Sequence, residues 1–126
     1  PDKVMAVFDR LREQFPQNSV IPRAKSAEEK AQEEAERKEI FGLQTIVNTG
    51  AASVDEVNRF YDYQTKQFVD RKQLIEYILT TKSDAMGQDI RDQYQKILDQ
   101  SDRQIQNFEN RRQQALNRAQ AAGNGG

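Results

Sequence analysis

The chain contains no cysteine, no histidine and no tryptophan, and its 126 residues include only three prolines and six glycines. Without cysteine a disulfide scaffold is excluded. Any zinc, haem or iron–sulfur site that depends on thiolate or imidazole ligands is excluded with it. The ordinary nucleophile–base pairs and the usual neutral-pH proton shuttle are missing as well. No phosphate-cradling glycine loop, nucleophile elbow or calcium loop is written in the chain, and no stretch carries a recognisable family motif. A dominant charge of one sign is absent too. Lys and Arg number 19 against 20 Asp and Glu, a net charge of −1, so bulk basicity cannot drive nucleic-acid binding. The apolar runs are far too short to span a bilayer. No cofactor is expected.

What is present is 31% charged and 36% hydrophobic residues at a mean hydropathy of −0.96, with 16 glutamines gathered towards the second half. A chain so poor in breakers is either built of long helices or disordered. The 29 Val, Ile, Leu, Met and Phe residues decide between these by their spacing. Val4, Val7, Phe8, Leu11 and Phe15 form one stripe of a short amphipathic helix over residues 1–15, closed by Pro16. Residues 16–25 read as a connector, with Val20 and Ile21 tucked back on the core. Ser26 and Glu29 form a capping-box pattern that opens a helix over 26–49, ended by Gly50 as a C′ residue. Its first half, Ala27–Glu39, carries six Glu against three Lys or Arg and no large apolar residue. Glu33–Arg37 and Glu34–Lys38 are expected there as i, i+4 ion pairs.

Ser53 and Glu56 repeat the capping box and open a helix over 53–82, about 42 Å long as far as Thr81. Its seam, Val54, Val57, Tyr61, Gln64, Phe68, Arg71, Ile75 and Ile78, alternates steps of three and four without a break. The last helix, expected over 84–121, carries Ile90, Tyr94, Ile97, Ser101, Ile105, Phe108, Arg112, Ala115 and Ala119. Between Tyr94 and Phe108 an eleven-residue step interrupts the heptads, which relaxes a left-handed supercoil into nearly straight packing. Residues 122–126 are expected as a flexible tail. No segment has a strand period. These patterns define an all-α fold, an antiparallel bundle of three to four helices in one domain, dominated by a long C-terminal hairpin.

Candidate contact residues follow from this frame. Phe60 and Tyr63 offer aromatic area for a protein partner, as do Val4, Phe8 and Leu11 if the first helix docks elsewhere or exchanges between copies. Packing on its own bundle is the simpler account of that helix. Arg103, Arg111, Arg112 and Arg118 form a candidate anion-contact set, but acids first and bases last is also what the helix dipole favours. Gln64, Arg71, Ser101 and Arg112 break the seams with polar groups that either fix register or mark levels open to water. Asp89, Asp92 and Asp99 lie on one side of the last helix, where they form a solvated acidic face or a carboxylate-only metal site. The leading expectation is a soluble, non-enzymatic interaction or assembly module whose partner is a protein or a second copy. Nucleic-acid association is the alternative and carboxylate chemistry the weaker one. The lack of cysteine and the wealth of glutamine lean towards an extracytoplasmic bacterial compartment without requiring it.

Overall fold

A computed structural model describes the backbone of residues 2–125 and the side chains of residues 8–82 and 84–123. Four α-helices follow in order: α1 (Asp2–Gln14), α2 (Ala27–Asn48), α3 (Val54–Lys82) and α4 (Gln88–Gly125), with a short 3₁₀ turn, Ser83–Ala85, before the last. No strand occurs among the described residues. The all-α architecture and the long hairpin are therefore as the periodicity implies. No helix among the described residues is long and apolar enough to cross a membrane.

The helix ends are set by local chemistry. Ser26 Oγ accepts the Glu29 N–H at 3.1 Å while the Glu29 carboxylate accepts the Ser26 N–H at 3.4 Å, closing the expected box. Ser53 and Glu56 repeat it at 3.2 and 2.9 Å. At the end of α2, Gly50 adopts φ 79°. There the Gly50 N–H reaches the Val47 carbonyl at 3.3 Å and the Ala51 N–H reaches the Ile46 carbonyl at 2.8 Å, a Schellman closure.

Three sequence expectations are corrected. The last helix starts at Gln88 rather than Asp84, because Ser83–Ala85 prolong α3 as a 3₁₀ turn and Gly87 takes the N-terminal position, its carbonyl accepting the Arg91 N–H at 3.1 Å. The same helix runs to Gly125, so residues 122–125 are not a tail. Ala121 and Ala122 are strong helix formers and no proline stops the chain. Arg37 pairs with Glu34 at i, i+3, not with Glu33, whose carboxylate is held by Lys25 at 2.7 Å.

The helices α3 and α4, 29 and 38 residues long, extend about 44 and 57 Å. They lie antiparallel: Asp62 meets Arg112, Phe68 meets Phe108 and Lys72 meets Asp102, numbers rising on one helix as they fall on the other. At one end of this hairpin α2 makes a third wall. Ile40 and Val47 of α2, Val57, Phe60 and Tyr61 of α3, Ala115 of α4 and Ala52 of the turn form a single buried cluster. Towards the other end the hairpin is met by the N-terminal segment. The Phe15 ring stands edge-on to Tyr77 at 5.3 Å, and Ile21 of the following connector is buried.

On α4 the seam residues Ser101 and Ala115 are buried and Tyr94, Ile97, Ile105, Phe108 and Ala119 half-buried, while Ile90 near its start is 44% exposed. The opposite face carries Gln88–Asp92, Gln95–Asp99, Gln106–Asn110 and Gln113–Asn117, each glutamine donating to the residue four places on at 2.7–3.1 Å. Their offsets of seven, eleven and seven residues keep all four pairs within about 20° of one line on a straight helix. Such pairs support an exposed helix from its own side chains.

Candidate protein-contact surface

The face of α3 that meets α2 is distinct from the face that meets α4. Phe60, Tyr63 and Gln67 lie at i, i+3 and i+7, turned about 80–140° from the midline of the Val57–Tyr61–Phe68 seam. This second face explains where the aromatic candidates lie. Phe60 is buried in the core and meets the surface only where it lines the groove between α2 and α3. Tyr63, which lies off the seam that meets α4, is half-buried and packs against the core from the α2 side. Arg59 fixes the pairing of these helices, its guanidinium reaching Glu36 at 2.8 Å and Glu39 at 3.2 Å.

Between α2 and α3 runs a groove of about 190 Å³ lined by Ile40, Phe41, Gln44, Phe60, Tyr63 and Gln64, with Arg37 and Lys38 at its edge. Phe41 is 76% exposed, the most exposed large apolar residue described. It follows Ile40 by one residue, about 100° round α2, so when Ile40 and Val47 face the core Phe41 faces outwards. No local sequence pattern singles out Phe41 beyond its being a bulky aromatic one step off the 40–43–47 stripe.

Of the N-terminal candidates, the Val4 side chain lies outside the described residues, and Phe8 and Leu11 are half-buried. The connector behind them is fastened by polar groups. Asn18 is buried and donates Nδ2 to the Asp70 carbonyl at 2.7 Å and to Gln73 Oε1 at 3.0 Å. One carboxylate oxygen of Asp70 accepts from the Ser19 N–H (2.8 Å), Ser19 Oγ (2.6 Å) and Lys66 Nζ (2.9 Å). Burial pushes the Asp70 carboxyl up, but the Ser19 donors and the Lys66 ammonium outweigh it and hold the group below the usual carboxylate range. Lys66 also donates to the Gln17 carbonyl at 2.9 Å. A groove of about 760 Å³ runs beside this connector towards Glu33, Tyr63 and Gln67, so Tyr63 stands between two concave surfaces.

The four arginines do not form one site. Arg112 is half-buried and held by Asp62 at 2.8 Å, Glu109 at 3.4 Å and Asn58 at 3.3 Å. It fixes the register of α3 on α4 and is corrected as an anion contact. Arg111 lies over the Phe108 ring at 5.8 Å, Arg118 approaches Gly50, and Arg103 lines a different groove. The polar seam thus divides. Arg112 is held between the helices by its acidic partners, whereas Gln64 lines the α2–α3 groove and Arg71 lines a second groove whose floor includes the buried Ser101. Asp89, Asp92 and Asp99 are exposed, the latter two accepting from Gln88 and Gln95, and no metal-holding group of three or more carboxylates occurs among the described residues.

Comparisons of the chain with protein-family models, with curated proteins and with solved structures find no match.

Proposed function

We propose that the chain is a non-enzymatic protein-interaction or assembly module that presents the α2–α3 edge around Phe41 to a protein partner or a second copy. One observation carries the reading. A phenylalanine 76% exposed sits on a rigid helix beside a groove lined by Ile40, Phe60 and Tyr63. Leaving such a ring in water forfeits about 1.5–3 kcal/mol of burial, and aromatic residues at the centre of a concave patch are the usual anchors of interfaces. The helices beneath it are held by the core and by Arg59, so the surface needs little ordering on contact.

The test combines solution mass with site-directed photocrosslinking. Light scattering over a dilution series reads self-association, and a benzophenone side chain at position 41, compared with one at position 95 on the outer face of α4, reads partner contact. The reading expects either a concentration-dependent rise in mass that Phe41→Ser abolishes, or an adduct of one discrete mass formed from position 41 and not from 95. A monomer at every concentration with no adduct specific to position 41 refutes it.

A further inference from the structure

Apart from the Phe41 edge, the hairpin carries a second concave surface of different chemistry. A groove of about 380 Å³ between α3 and α4 is lined by Phe68 and Arg71 from one helix and Ile97, Gln100, Arg103 and Gln104 from the other. No acidic residue lines it. Arg71 occupies a seam position of α3 and is half-buried, its guanidinium over the Phe68 ring at 5.8 Å. It has no ion pair among the described residues, and neither has Arg103. The contrast with Arg112 is informative. That arginine, at the equivalent kind of position on α4, is held by Asp62, Glu109 and Asn58.

A guanidinium drawn partly out of water normally recovers its lost hydration from a carboxylate. The carboxylates nearest in sequence are already engaged: Asp70 by Ser19 and Lys66, Asp102 by Lys72 at 2.8 Å, and Asp99 by Gln95 at 3.1 Å. We propose that this groove is a docking site for an acidic peptide segment of a partner protein. Arg71 and Arg103 take side-chain carboxylates, Gln100 and Gln104 supply amide donors, and Ile97 receives the apolar residues between the acids. The guanidinium fork matches a carboxylate in bidentate geometry, and the two charges are complementary to an acidic segment. A nucleic acid fits less well, because the one aromatic ring in the groove already carries Arg71 and contacts Phe108 at 5.8 Å, leaving no open stacking platform. The proposal rests on the reading of the chain as a protein-interaction module but uses residues separate from Phe41.

The experiment is fluorescence anisotropy with a labelled amphipathic peptide of alternating leucine and glutamate pairs as probe. It is titrated with the full chain and with three variants: Arg71→Gln with Arg103→Gln, Arg111→Gln with Arg118→Gln, and Phe41→Ser. The two double variants lose the same charge, so diffuse attraction affects them alike. Saturable binding is expected, weakened about tenfold or more by the groove pair and less than about threefold by the other two variants. Arg103→Glu alone, at an exposed residue that makes no ion pair, reads the site without disturbing the fold and is expected to abolish saturation. Equal weakening by both double variants, absence of saturable binding to the unmodified chain, or equal competition by a single-stranded oligonucleotide of matching charge overturns the proposal. A loss confined to Phe41→Ser overturns it too while sparing the Phe41 reading. Retained probe binding by Phe41→Ser, beside a negative crosslinking result, separates the two the other way.

Discussion

Replacing Asp70 by Asn tests whether the N-terminal segment is held by polar chemistry rather than by apolar burial. The substitution keeps the side chain's shape and removes its charge. Three donors converge on one oxygen of Asp70 at 2.6–2.9 Å, and only 11% of that side chain is exposed. Hydrogen bonds to a charged group are worth about 1.5–3 kcal/mol and neutral ones about 1, so three weakened bonds total about 3 kcal/mol. The neutral amide is cheaper to bury, and Ser19 and Lys66 are exposed enough to recover water. The net loss expected is therefore about 1–2 kcal/mol at neutral pH.

The pH dependence gives the result its sign. Asp70 titrates below its unfolded value when folded, so its contribution is complete above about pH 4 and is lost as pH falls through the lower folded value. The Asn variant has no such contribution to lose. Urea unfolding from about pH 7 down to about pH 2.5 should show the gap between the two proteins closing in acid. Amide exchange should quicken in residues 16–25 of the variant while α3 and α4 keep their protection. An Asn variant as stable as the parent at neutral pH, or a gap that persists unchanged below about pH 3, refutes the reasoning.

Three further predictions concern the fold. Val57→Ala removes two methyl groups from a residue 1% exposed at the three-helix junction and should cost about 2–3 kcal/mol in urea unfolding. Gly50→Ala meets no tighter neighbour than Arg118 Cδ at 3.8 Å, so its cost is conformational; at φ 79° it should lower stability by about 1–2 kcal/mol, seen as a drop in Tm. Ser101→Leu places a larger side chain where only 3% of the residue is exposed and should cost about 1–3 kcal/mol by overpacking, with no new acid dependence in the unfolding curve.

Much of the architecture was legible because it depends on signals within a few residues. Both capping boxes and the Gly50 terminator are readable as local patterns, and each closes with the hydrogen bonds its pattern requires. The seams of the two long helices were legible from their spacing, and the eleven-residue step from Tyr94 to Phe108 fits a helix straight enough to keep four glutamine pairs on one line. The errors have a common cause. Tyr63 was misplaced because a single seam was assigned to α3, which in fact faces two neighbours. Phe41 was passed over because nothing local says which side of α2 turns inwards. Arg112 looked free beside Arg111 because its partners Asp62 and Asn58 lie about fifty residues away.

The sequence by itself therefore determined the helical secondary structure, the ends of α2, the start of α3 and the all-α class. Those depend on period, capping and the scarcity of breakers, which act over one or two turns. It also excluded thiolate and imidazole chemistry outright, since composition needs no fold. Only the tertiary structure decided which polar residues are already spent. Asp70 fastens a connector fifty residues distant, Arg112 sets the hairpin's register, and Arg71 and Arg103 share a groove without a carboxylate. A side chain's partners across helices follow from register and crossing, and these are set by the packing of all the apolar faces together.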